Sequence, residues 1–532
     1  MSARGRVLSL STKAVLGAFL AAALVLPLCA MLSHITGGNL RAVLALPRFG
    51  EALGNSILAA AAATCIAIVI AWFFAAAVVR ARIRFTQVFS VFVTLPMLIP
   101  SISHGMGLVI LFGRNGMLTR ALGLEAAGFS IYGFAGVVAG SVLYAFPVSF
   151  LMLADVLRYE DRAPYEAAAV LGIPRARQFA AITFPYLRKP LIAVVFATFT
   201  LVFTDYGVPL MIGGRFITLP VLMYEEVIGL LHFDTGSVIG AFLLVPAAAA
   251  FLFDLLSRDK GNAAFVNTAQ KPLARPLRDA AAFCYCVLVC VLIASPVAVF
   301  SMISFVKGYP LDLSASFVNM TKTLGLGAGR FLANSLAVAC GTALLGTAIA
   351  YVTAYCTARS RTASSRALHL VSITSLAVPG LVLGLSYVIF FKGTFFYGTL
   401  AILILVNTVH FLASPYLLAY NSLCKLNPRL EDVGATLGLG RLRILAGVII
   451  PQTKETILEM LSYFFVNCMM TISAVSFLAT AATQPVSLMI TEFERQMFLE
   501  GAAFVSLLIL VCNFTLKCAV YLLKRFWGKR EG

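Results

Sequence analysis

Apolar runs of about 20 residues recur along the whole of this 532-residue chain, and a run of that length wound as a helix crosses a hydrocarbon core ~30 Å thick. Six lie near 14–32, 54–79, 87–112, 131–154, 190–212 and 236–256, and six more near 280–304, 332–357, 368–391, 398–421, 456–480 and 501–523. Lipid offers no partner for a backbone N–H or C=O, so such runs must satisfy themselves as helices. The balance of side chains agrees, with 61% hydrophobic and 12% charged residues and a mean hydropathy of +0.95. The expectation is an all-α polytopic membrane protein of about 12 spans. Too little chain lies between the runs for a soluble catalytic domain.

A net charge of +18 could suggest a nucleic-acid partner, but the basic residues are distributed as a membrane protein requires. If the N-terminus is cytoplasmic, alternate loops on that side hold 29 of the 40 Lys and Arg; 10 fall opposite and Lys517 lies in the last run. That asymmetry predicts a multi-pass protein of a bacterial inner membrane with both termini cytoplasmic, its basicity serving orientation and no nucleic acid. Arg4, Arg6 and Lys13 precede the first run as in a signal peptide. No small-residue cleavage site follows Cys29, so a retained helix is expected. The eleven cysteines, including Cys284, Cys286 and Cys290, lack neighbouring His or carboxylate ligands and read as small buried apolar side chains; no metal and no cofactor is expected.

The chain is also built twice. Asn55-Ser56 and Asn334-Ser335 are separated by 279 residues, as are Arg80 and Arg359, Pro100 and Pro379, and Gly105 and Gly384. Further along the separation becomes 266 residues, relating Asp161 to Asn427, Gly172 to Gly438, Arg175 to Arg441, Arg177 to Arg443 and Pro185 to Pro451. Six runs separate equivalent points, an even number, so the repeats are parallel. Residues 1–257 form one expected unit and 280–532 the other. The polar stretch 258–279, with Lys271-Pro272 and Arg275-Pro276, joins them on the cytoplasmic side.

Within each unit one cytoplasmic loop, 158–189 or 422–455, encodes a short helix of about ten residues. Asn427-Pro428 reads as an N-cap followed by a first-turn proline, Asp161 holds the matching place, and Gly172 and Gly438 are C-terminal stops able to take positive φ. Between these bounds Glu166, Ala167, Ala168 and Ala169 give one helix an acid and a smooth surface, answered in the other by Asp432, Val433, Gly434 and Ala435. In these residues the chain resembles the permease subunits of ATP-binding cassette importers, whose loop signature runs EAA, three residues, Gly, nine residues, Ile, any residue, Leu, Pro. Glu166 through Gly172 to Ile182-Thr183-Phe184-Pro185 follows it except at Phe184; Asp432 through Gly438 to Val448-Ile449-Ile450-Pro451 is degenerate.

Two units in one chain resemble the fused permeases for ferric iron, thiamine and 2-aminoethylphosphonate. The resemblance implies a type I importer transmembrane domain, a small solute brought by a periplasmic substrate-binding protein, and an ATPase subunit, two copies in all, seated on the coupling residues Glu166, Ala167, Ala168, Gly172, Asp432, Gly434 and Gly438. The solute it points to is 2-aminoethylphosphonate or ferric iron. The chain carries no Gly-x-x-x-x-Gly-Lys-Ser/Thr phosphate loop, so ATP hydrolysis is expected on a separate chain and this one is not an enzyme.

Ionisable residues within apolar runs are costly and become candidates for the path. Asp205, in Phe203-Thr204-Asp205-Tyr206-Gly207, reads either as a gate or as the cap of a helix break. Its repeat partner Thr471 makes the path asymmetric there. His104 follows Pro96 and Pro100 in a segment expected to kink, and it too is a path candidate. His410 and Glu459 read as structural. The competing class is an ion-coupled secondary transporter of two parallel six-helix halves, which would leave the paired loop helices without a purpose.

Overall fold

The computed structural model describes residues 3–124, 128–158, 160, 163–257, 275–360 and 362–528. Among these, eight helices are long and apolar enough to cross a bilayer unbroken: Ser11–Ser33, Pro47–Arg80, Phe134–Arg158, Ala176–Phe203, Phe233–Phe253, Pro276–Ile303, Val318–Ala358 and Leu499–Trp527. Two further spans are bent pairs, Ala363–Ala377 with Gly380–Phe391 at 110° and Leu400–His410 with Ala413–Lys425 at 53°.

Ten of the twelve expected runs are thus candidate spans among the described residues, two of them as bent pairs, and the other two runs, 87–112 and 456–480, are interrupted. The 87–112 run is split by its prolines into Thr86–Val93, a 3-10 turn Leu95–Leu98 and Ser101–Phe112, because Pro96 and Pro100 cannot continue the backbone ladder. The 456–480 run ends as a helix at Met470 after 17 residues, and turns follow. Among the described residues the one departure from all-α structure is a small hairpin, Val306–Gly308 against Asp312–Ala315.

The repeat seen in the sequence is a repeat of structure. Ser101–Phe112 and Gly380–Phe391 are both 12-residue helices entered through a proline and preceded by a 3-10 turn. Phe179–Thr183 and Leu445–Ile449 are both π-turns, at equivalent positions just ahead of Pro185 and Pro451. Proline has no N–H to give the carbonyl four residues back, and the widened turn accommodates its ring. The Asn-Ser pairs do the same work twice: Asn55 donates to Ile217 O and Ser56 accepts from Leu219 N, while Asn334 donates to Ala482 O and Ser335 accepts from Val486 N.

The first helix of each half packs on the other half. Leu16 and Leu20 join a core that is otherwise all second-half, with Ala350, Tyr351, Tyr416 and Phe464. Tyr387 donates to Ala23 O at 2.6 Å, and Lys13 Nζ reaches Ser360 and Thr362 at 2.9 and 3.2 Å. Reciprocally, Cys286, Val289, Cys290 and Ile293 complete a first-half core around Phe74, Phe146 and Phe150, and Tyr285 donates to Ile70 O. The cysteines are less uniformly buried than expected: Cys286 and Cys290 face inward, but Cys284 and five others are exposed on the isolated chain, where lipid would lie. The linker falls mostly outside the described residues, which resume at Arg275.

Candidate functional site

Two places carry the chemistry, the pair of loop helices at one end and a cavity between the halves. The first loop helix is Ala163–Val170 and the second Leu430–Thr436, each a little shorter than expected. Both end as their glycines predict. Gly172 has φ +66°, with Ile173 N bonded to Ala168 O at 2.9 Å, and Gly438 has φ +72°, with Leu439 N bonded to Gly434 O at 2.9 Å. At the start of the second, Asn427 Oδ1 accepts from Arg429 N, so it caps the turn before the helix and not the helix itself. Asp161 lies outside the described residues.

Each loop is tied to the membrane body by an arginine from the repeat. Arg80 pairs with Glu160, whose other oxygen accepts from Tyr165 within the loop helix. Burial, then the bond to Glu160, pushes the Tyr165 phenol up to about 12, so it stays neutral and donates. In the second half Arg359 lies 3.2 Å from Glu431 and donates to Leu426 O and Asn427 O. The arginines are equivalent; the acids they meet stand at different places in the repeat.

Glu166, Ala167, Asp432, Gly172 and Gly438 are exposed on the loops, but Ala168 and Gly434 are not. Ala168 is 4% exposed, and a side chain at Gly434 would collide with Ile444. These two positions pack the loop against itself, which corrects the expectation of a continuous smooth face. What is presented outward is apolar: Val170 at 89%, Leu171 at 75% and Leu437 at 70% exposure. Leucine at the last turn before each glycine stop was the available signal for these knobs.

Between the halves lies a cavity of about 650 Å³. The helix Phe184–Phe203 stops at Thr204, and Asp205 bonds the backbone N–H of Gly207 and Val208 at 3.4 and 3.0 Å, capping the short helix Gly207–Ile212. The Ser101 hydroxyl stands beside the same carboxylate. In the second half the break comes at Thr471, and Thr471 O accepts from Ser487. Asp205 and Thr471 both line the cavity, as do Tyr144, His410, Tyr463 and Asn467. His104 does not. It is buried behind the wall, its ring 5.7 Å from that of Tyr144, with Nδ1 facing Ser101 O at 3.3 Å and Nε2 without a partner. His410, expected to be structural, is instead part of the lining, whereas Glu459 pairs with Lys524. The lining holds one acid, Asp205, and no Lys or Arg.

The two breaks cross the bent helices at matching contacts. Gly207 meets the Ser101 hydroxyl so closely that a Cβ would collide with it, and Gly380 meets the Ser473 hydroxyl in the same way. Each crossing pairs one glycine with one serine, in opposite order. Past the breaks the rings of Tyr206 and Tyr224 stack at 5.3 Å and Tyr224 on Phe477 at 6.2 Å, with the Arg495 guanidinium over Tyr224 and bonded to its hydroxyl. Among the described residues no three His, Cys, Asp or Glu are grouped to hold a metal.

The model of a family described as binding-protein-dependent transport system inner membrane component matches residues 67–258 and 344–529. A putative ferric transport system permease protein of Haemophilus influenzae is 27% identical over 411 residues, 74% of this chain and 65% of the relative. A ferric transport system permease protein of Actinobacillus pleuropneumoniae is 26% identical over 449 residues, 81% of this chain and 65% of the relative. A thiamine transport system permease protein of Brucella abortus is 27% identical over 144 residues, 26% of each chain. The chain thus spans about two thirds of the length of the ferric relatives, 65% by alignment.

Proposed function

The chain belongs to the binding-protein-dependent transport system inner membrane components and carries two copies of that unit; on that premise we propose that it is the permease of an ATP-binding cassette importer for ferric iron. Residues 1–257 and 280–532 are the two permease units, joined by the linker 258–279. Two ATPase subunits seat on the two loop helices from the cytoplasm, and a periplasmic binding protein delivers the solute on the other side. Both termini face the cytoplasm. Closing of the ATPases pushes the loops, Arg80–Glu160 and Arg359–Glu431 carry the motion into the helices, and the halves rock about the central cavity.

The observation that carries this reading is the equivalence of the two loop helices, each ending at a positive-φ glycine and each tethered by an arginine of the repeat. A secondary transporter has no use for such a pair. For the substrate, two considerations favour ferric iron over 2-aminoethylphosphonate. The relatives aligned over most of this chain are ferric permeases. The cavity offers Asp205, tyrosine hydroxyls and no cationic side chain, which suits a cation and leaves a phosphonate without a counter-charge. Asp205 and Thr471 line the path, the Tyr206–Tyr224–Phe477 stack closes it away from the ATPases, and His104 supports the wall.

The test is reconstitution in vesicles with its ATPase and binding-protein partners, following labelled ferric iron and 2-aminoethylphosphonate. ATP-dependent iron accumulation is expected. With Glu166→Ala and Gly172→Ala combined, hydrolysis should continue while accumulation stops; normal uptake by that double variant would refute the coupling role, and phosphonate uptake without iron would refute the substrate.

A further inference from the structure

Outside the path, the helices Thr86–Val93 and Pro276–Ile303 leave a groove of about 520 Å³ between them, walled by Val88, Phe92, Val287, Val291 and Ala298. No polar atom opens into it; its one hydroxyl, Ser295, is turned back to donate to Leu292 O at 2.8 Å. From Val287 to Val299 it follows about 18 Å of helix, comparable with one leaflet's half of a ~30 Å hydrocarbon core.

One end of this groove is basic. Asp279 accepts from Arg82 N at 3.3 Å, which brings the segment 80–86 beside the start of the 276–303 helix. Arg80 is engaged by Glu160, and Arg278 by Asp279 at 2.7 Å. The side chains of Arg82 and Arg84 are exposed and have no hydrogen bond or ion pair among the described residues. Val88 and Phe92 lie on the helix Thr86–Val93, which begins two residues after Arg84, so a headgroup on the arginines lies at the entrance of the groove.

We propose that this groove is a binding site for an anionic phospholipid, one acyl chain lying between the two helices and the phosphate resting on Arg82 and Arg84. The chemistry on both ends matches: a dry slot of acyl-chain length, and two exposed cations unpaired among the described residues. An apolar slot in lipid is filled by tails of any phospholipid, so the arginines supply the selection. The site also has a role in the fold. The 86–93 helix leads directly through Leu95–Leu98 to Ser101, which stands beside Asp205 and crosses Gly207. A chain packed against Val88 and Phe92 braces that break from the lipid side. The proposal rests on the chain spanning a bilayer and not on the solute it moves.

The test is native mass spectrometry of the full chain, stripped of lipid in detergent and titrated with phosphatidylglycerol or phosphatidylcholine. The intact chain should retain phosphatidylglycerol roughly tenfold better. R82Q/R84Q, at exposed positions that leave folding intact, should erase the preference while keeping weak binding of both lipids. Ala298→Phe, which fills the slot, should lose both; if it also lowers the melting temperature, the arginine pair decides alone. Equal retention of the two lipids by the intact chain, or an undiminished preference in R82Q/R84Q, would overturn the proposal.

Discussion

At the crossings of the breaks, space for one hydroxymethyl group is shared between two residues, and the halves have assigned it oppositely. Gly207→Ser should drive two hydroxyls together beside Asp205 and destabilise by about 1–3 kcal/mol, as overpacking does. Ser101→Gly with Gly207→Ser exchanges the two residues as at Gly380 and Ser473 and should recover part of that loss in detergent melting curves, the rest remaining because the new Cβ still meets Ile102 N at 2.8 Å. Its uptake should remain impaired, since Asp205 has lost the Ser101 hydroxyl. Asp205→Asn keeps the shape and removes the one acid among the described lining residues; uptake should fall tenfold or more with the melting temperature unchanged. Asp205 was legible because a carboxylate two residues before a glycine is a local capping signal. His410 was not, since its exposure to the cavity depends on the 53° bend after it.

Among the elements, the two loop helices make separable predictions for their anchors and their outer faces. Glu431→Gln leaves Arg359, 11% exposed, without its acid, at a cost on the order of 1–2 kcal/mol confined to the loop. Proteolysis within 426–440 should accelerate while the membrane body stays protected. Leu171→Asp with Leu437→Asp alters only exposed apolar side chains, so folding should persist while co-purification of the ATPase is lost; retention would show that these knobs do not face it. The glycine stops, the twin loops and the proline exits could be read from sequence because each is a rule about one or two neighbouring residues. The breaks within the spans were not legible for the opposite reason: hydropathy measures length, and at Pro96, Pro100 and Thr471 the chain remains apolar while its helix is interrupted.

For the whole molecule, the repeat predicted two similar halves, yet not that each lends its first helix to the other. Nothing in the helix 11–33 names its neighbour, because one apolar face fits many others, and the recipient core around Tyr351 and Phe464 is more than 300 residues distant in sequence. Removing residues 1–46 should therefore weaken the second half more than the first. Hydrogen exchange at 343–354 and 412–423 should rise, while 71–78 and 146–157 stay protected by the 276–303 helix.

That exchange also imposes an order on biogenesis. As the polypeptide leaves the ribosome, the helix 11–33 reaches the bilayer long before the surface it will occupy has been made, and the first half stays unsealed until the 276–303 helix arrives. Neither half can mature as an independent module; the insertion machinery must hold a lone greasy helix in waiting until residues 343–464 are synthesised.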